Sequence, residues 1–108
     1  GILTRNQRDC VDIVLNRIGV ESYFEAQAII ACEDAPPKPD PVGINQIIQY
    51  WQVSPQRCVM VGDFRYDLEV GRAAGIPTVH FVADRQERWP QLTDLVVENL
   101  AQLQALRV

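Results

Sequence analysis

The stretch that most restricts the fold is residues 58–82, CVMVGDFRYDLEVGRAAGIPTVHFV. The uninterrupted apolar run 58–61 reads as a buried strand. After Gly62 and Asp63 the spacing becomes helical over 66–74, and Gly75 supplies a left-handed stop. Pro77 then leads into a second apolar run, 78–82. A strand, a helix and another strand in so few residues make a parallel crossover unit, which is right-handed.

The remainder repeats the pattern. Ile2 and Leu3 form a strand remnant, residues 4–6 a polar turn, and a helix is expected over 7–18 with Asn6 as its cap. Its spacing puts Cys10, Ile13, Val14 and Ile18 on one buried face, with Gly19 as the stop. Residues 28–31 read as a doubly buried strand. The loop APPKPDP, 35–41, is stiff because each proline fixes its own torsion and restricts its predecessor. Asp40 and Pro41 start a helix whose inner stripe is Ile44, Ile47, Ile48 and Trp51, ending at Ser54-Pro55. Residues 84–90 form a charged surface loop and 95–97 an edge strand, followed by an amphipathic turn with Leu100, Leu103 and Leu106.

Alternation of this kind predicts an α/β fold: a parallel sheet with helices on both faces and a ligand crevice beyond the strands' carboxyl ends. Thr4, Lys38, Asp63 and Asp67 each follow a strand or lie in the loop leaving one, which makes them candidates for a shared rim. With 108 residues and 47% hydrophobic content, the chain is expected to form one domain. A formal charge of −4 and no basic stripe argue against nucleic acid as a partner. No apolar run reaches bilayer length and no leader opens the chain, so no membrane role and a cytoplasmic location are expected. Cys10, Cys32 and Cys58, odd in number and set among apolar residues, read as reduced core thiols.

Each rim residue has a chemical reading and a plain one. Asp63, directly after a buried strand, suits a hard cation such as Mg2+, which prefers oxygen ligands; alternatively it caps a helix. Asp67, one turn on, would face the same crevice and orient either a metal-bound water or the Lys38 ammonium; otherwise it is a solvated surface charge. Lys38 among prolines loses little further freedom when fixed and would neutralise phosphate oxygens; otherwise it is an exposed lysine. Thr4 offers a hydroxyl and a backbone amide near a helix start, an anion site, or else a turn residue. His80 and Trp51 read as core. Trp89 either lines the crevice or meets a partner, or packs under the tail. Arg65 and Tyr66 lie between the acids, and the pattern does not choose a role for them.

Taken in order, GILTRN, PPKPDP and VMVGDFRYDLEVGRAAGIPTV resemble the second, third and fourth motifs of the haloacid dehalogenase (HAD) superfamily. The likeness is to its phosphatase branch, in the subgroup similar to phosphoglycolate phosphatases. It implies a Rossmann-like HAD core in which Thr4 is the phosphate-binding hydroxyl, with Arg5 and Asn6 beside it as substrate contacts. It also implies that Lys38 stabilises nucleophile and phosphate, that Asp63 is a Mg2+ ligand, and that Asp67 is the second acid of the fourth motif. The family often has Asn directly after the threonine, whereas Arg5 intervenes here.

Family members open with an Asp-x-Asp segment whose first acid attacks phosphorus. None occurs in these 108 residues; the nearest spacing is Asp9 with Asp12. That segment also forms the central strand, and a cap domain usually follows it. The resemblance therefore implies that residues 1–108 are the carboxyl-terminal part of a HAD-like hydrolase core, incomplete, with nucleophile strand and cap absent. Without the central strand the sheet is expected to split, leaving edges to be completed by a missing N-terminal core segment, by another chain, or by rearranged pairing. The implied activity is Mg2+-dependent hydrolysis of a small phosphorylated metabolite through an aspartyl phosphate whose Asp is not in this chain. The chain alone should then be inactive. The alternative is a non-catalytic HAD-like binding module. A phospho-acceptor receiver domain has its acids before the hydroxyl and lysine, the reverse order, and the Gly62-Asp63 acid pair favours a metal-using phosphatase over a dehalogenase.

Overall fold

The structure, a computed structural model, describes residues 1–82 and 87–104. In chain order these form β1 (Ile2–Leu3), α1 (Arg8–Arg17), β2 (Ile29–Ile30), α2 (Val42–Trp51), β3 (Met60–Gly62), α3 (Arg65–Ala73), β4 (Thr78–Phe81), β5 (Leu95–Val97) and α4 (Ala101–Gln104). Every strand pairing among the described residues is parallel, as the crossover pattern requires. The strands divide into β1-β2 and β3-β4-β5. The expected break is present, and β1 and β3 each keep one edge outside these pairings.

Alternation along the strands sorts their side chains between two helical layers. Ile2 and Ile29 pack with Val11 and Leu15 of α1. Leu3 and Ile30 face the other way, onto Ile47 of α2. The same α2 presents Ile44 and Ile48 to Val70 and Ile76, with Leu3 and Met60 against them. One helix thus covers both half-sheets. It sits close, since a Cβ on Gly43 would come within 2.7 Å of Leu3 Cδ1. Gly75, at φ +71°, ends α3 in the left-handed conformation that glycine adopts without steric cost.

Several local expectations need correction. The buried stripe of α1 is Val11 and Leu15, while Ile13, Val14 and Ile18 are 67%, 54% and 63% exposed. This helix carries two overlapping apolar stripes, and the one that meets Ile29, Val20 and Phe24 is buried. Asn6 does not cap α1; Gln7 holds that position with no side-chain hydrogen bond. The cysteines are free but not core: Cys10 and Cys32 are exposed and Cys58 is half-buried. Trp51 is 42% exposed, because it overhangs the gap between the half-sheets instead of closing a core. Of the expected surface loop, residues 84–86 lie outside the described residues, as does Leu106 of the terminal turn.

Candidate active site

The proline-rich loop delivers Lys38 to the carboxyl ends of both half-sheets. Its ammonium donates to the Leu3 carbonyl at the end of β1 (3.2 Å) and to Asp67 Oδ1 at the start of α3 (2.6 Å). Both side chains are mostly shielded, 13% and 11% exposed. A buried charge is tolerated when paired and hydrogen-bonded, which holds here for each partner. Asp67 uses its second oxygen to accept the Phe64 N–H (3.3 Å), closing the first turn of α3.

Gly62 makes this approach possible. A Cβ at that position would lie 2.2 Å from the Asp67 Cβ and 2.4 Å from its carboxyl carbon. The glycine before Asp63 is therefore required by the aspartate four residues after Asp63. Asp63 itself follows β3 directly, is exposed, and lines the same cavity as Lys38 and Asp67.

Thr4 lies one residue beyond the carbonyl that Lys38 holds. Its hydroxyl accepts the Asn6 N–H (3.1 Å), but its own amide donates to the Ile30 carbonyl (3.0 Å). The expectation that Thr4 offers its amide to an anion is thus corrected: that donor is spent on β2. The first amide of α1, on Arg8, likewise donates to Glu33 Oε1 (2.8 Å). Arg5 reaches across to α3, its guanidinium 5.6 Å from the centre of the Tyr66 ring, where Arg65 also lies at 5.3 Å. Arg65 pairs with Glu69 at 3.2 Å, and Asn6 is exposed. Lys38, Asp63 and Asp67 are gathered around one cavity, while Thr4 and Arg5 reach that end of the molecule from β1.

Sequence reasoning missed a string of rings beside this site. Phe64 meets Tyr66 edge-on (5.2 Å between centroids) and Trp89 likewise (5.5 Å); Trp89 then lies 5.2 Å from His80. His80 is fully buried, and among the described residues neither ring nitrogen has a hydrogen-bond partner. It is core, as read, but packed without being satisfied. No periodicity connects residue 89 to residue 80, so only the fold reveals this contact.

Residues 1–81 match the family model of haloacid dehalogenase-like hydrolases. The chain belongs to this family. It is 32% identical to a pyrophosphatase PpaX of Bacillus velezensis over 79 residues, 72% of this chain and 36% of that protein. It is 30% identical to a phosphoglycolate phosphatase of Pseudomonas putida, over 72% of this chain and 28% of that one. A HAD-superfamily hydrolase from Geobacter sulfurreducens superimposes with a TM-score of 0.83 at 22% identity, covering 99% of this chain and 51% of its own. The chain thus spans about a third of these curated relatives and half of the solved one, and its fold is the Rossmann-like HAD core in part. Among the described residues, no helix is long and apolar enough to cross a membrane, and no three His, Cys, Asp or Glu side chains cluster as a ready metal site.

Proposed function

We propose that this chain is the phosphate- and metal-binding part of a HAD-type phosphatase site whose attacking carboxylate lies outside these 108 residues. The observation that carries the reading is the Lys38 ammonium, fixed between Leu3 and Asp67 beside Asp63. A shielded cation at the carboxyl ends of parallel strands is placed to offset charge on a phosphoryl group. The family membership and the names of the curated relatives support a small phosphate-bearing substrate.

The donor set fits Mg2+ in part. Mg2+ is commonly held by one or two carboxylates, with waters and substrate phosphate completing its shell. Asp63 would be the carboxylate ligand. Once bound, the metal would supply charge neutralisation at the phosphoryl oxygens. The chain's own residues do the remainder: Lys38 binds phosphoryl oxygen, Asp67 positions Lys38, and the Thr4 hydroxyl contacts the anion with Arg5 and Asn6 beside it. The exposed thiols Cys10 and Cys32 suit a reducing compartment, which supports a cytoplasmic location.

Titration of the purified chain with Mg2+, followed by amide NMR shifts, tests the site. Asp63→Asn is expected to weaken binding at least about tenfold by removing a charged oxygen ligand. Unchanged affinity would overturn the metal assignment. Mg2+-dependent hydrolysis of a phosphomonoester by the chain alone would overturn the external carboxylate.

A further inference from the structure

Beside the Lys38–Asp67 contact, a second side-chain bridge joins the same two half-sheets. Arg5 follows β1 two residues past the Leu3 carbonyl and holds its guanidinium 5.6 Å from the centre of the Tyr66 ring, immediately before Asp67. Arg65 stands 5.3 Å from the same ring. Three of the ten lysines and arginines of a chain with formal charge −4 therefore converge on two consecutive residues of α3. Like charges gathered in this way repel, and each calls for an opposite charge. Asp67 supplies it for Lys38 at 2.6 Å and Glu69 for Arg65 at 3.2 Å. Arg5 has none: it is exposed, and among the described residues no carboxylate pairs with it. Arg17, Arg57 and Arg88 share that lack, but none of them lies over a ring.

A ring beneath a guanidinium limits how that group can turn and leaves the N–H fork at its edge open. An open, preset fork matches an oxyanion that accepts two parallel hydrogen bonds. Other arginines of the chain have spent theirs. Arg8 donates to the Ile29 carbonyl and to Asp34, and Arg72 donates to Asp94. The Arg5 fork, with no acceptor among the described residues, is the one that stands beside the phosphate-binding hydroxyl proposed for Thr4.

We infer that Arg5, set by the Tyr66 ring, forms a second oxyanion subsite next to the phosphoryl position, and that the substrate is a phosphorylated compound carrying another anionic group, a carboxylate or a second phosphate. The inference rests on the functional reading above, in which Lys38 takes a phosphoryl oxygen, and adds what the rest of the substrate carries. Arg5 binds that second group, and Tyr66 is a positioning residue that acts through Arg5. Arg65, already paired with Glu69, adds positive potential without being the ligand's partner. An aromatic substituent in place of the anion is disfavoured, because the Tyr66 ring already meets two guanidiniums and the edge-on Phe64.

The test titrates the full chain without added metal, so that chelation by a ligand cannot imitate selectivity and no turnover is read. The probes are methylphosphonate, phosphonoacetate, methylenediphosphonate and phenylphosphonate, followed by amide NMR shifts at residues 4–6 and 66–67. Phosphonoacetate or methylenediphosphonate should bind at least about tenfold more tightly than methylphosphonate, the gain of one charge-assisted contact, and the better of the two names the second group. Arg5→Gln should bring that ratio to about one, whereas Arg17→Gln, an equal loss of charge in the last turn of α1, should keep it. Tyr66→Leu should lower the ratio about threefold and Tyr66→Phe preserve it, since the ring and not the hydroxyl sets Arg5. A parent ratio near one, a ratio that survives Arg5→Gln or Tyr66→Leu, or phenylphosphonate binding more tightly than both bis-anions would overturn the inference. So would the failure of every phosphonate to bind, while the Mg2+ titration of Asp63→Asn judges the functional reading separately.

Discussion

Replacing Lys38 by Met tests how the two halves of the molecule are held together. The change removes two acceptor contacts, Leu3 O at 3.2 Å and Asp67 Oδ1 at 2.6 Å, and leaves a carboxylate only 11% exposed with the Phe64 amide as its remaining partner. Unit charges about 4 Å apart attract by about 4 kcal/mol at an effective dielectric of about 20. Desolvation of both groups offsets part of this, but deleting one partner restores none of the other's hydration. Breaking a buried pair costs about 3–5 kcal/mol, and residual exposure puts this one near about 3. Asp67→Ala should cost less, about 2 kcal/mol, because a lysine can swing its ammonium into water. The double variant should show a coupling of about 2 kcal/mol. Urea unfolding followed by tryptophan emission reads these values, with a midpoint drop of about 2 M for Lys38→Met at the slope usual for a chain of this size. A loss under about 0.5 kcal/mol, or coupling near zero, would show that the pair does not clamp the half-sheets and would refute the reasoning.

Gly62→Ala should cost about 2 kcal/mol and detach Asp67 from Lys38, since the new methyl would lie 2.2 Å from the Asp67 Cβ; a thermal melt equal to the parent's would contradict this. His80→Leu should raise stability by about 1 kcal/mol, because two buried nitrogens without partners among the described residues are exchanged for an apolar group of similar size; destabilisation of that size would mean that the ring nitrogens are satisfied. The Arg72 guanidinium, with the Thr78 amide, holds the Asp94 carboxyl below its usual value. A depressed carboxylate contributes stability that is present above its unfolded value and lost as pH falls through the folded one. The gap in stability between parent and Asp94→Asn should therefore be flat near neutrality and shrink below about pH 4, and a gap that widens on acidification would reverse the assignment.

How far the sequence reveals this molecule depends on the kind of signal. Strand positions and direction follow from apolar runs separated by helices, and Ile29–Ile30, Thr78–Phe81 and Leu95–Val97 all appear as strands where expected. The meeting of Lys38 with Asp67 follows from each lying in the segment that leaves the carboxyl end of a parallel strand. The face of α1 was not legible, because Val11 and Leu15 compete with Cys10, Ile13 and Val14 at nearly the same helical spacing, and only the position of Ile29 decides. The use of the Thr4 amide depends on strand register, which no local pattern encodes. Trp51 has a core residue's spacing and an exposed residue's surroundings, since its side chain lines the open cavity between the half-sheets.

The way α2 lies across both half-sheets has a mechanical consequence. Among the described residues no backbone ladder stitches β1-β2 to β3-β4-β5; apolar side chains gathered on α2, Leu3 and Met60 among them, and one ammonium make the join. Apolar contacts resist squeezing well and shearing poorly. This join is therefore the direction in which the molecule is softest, and α2 works as a keel to which two otherwise separate planks are fastened.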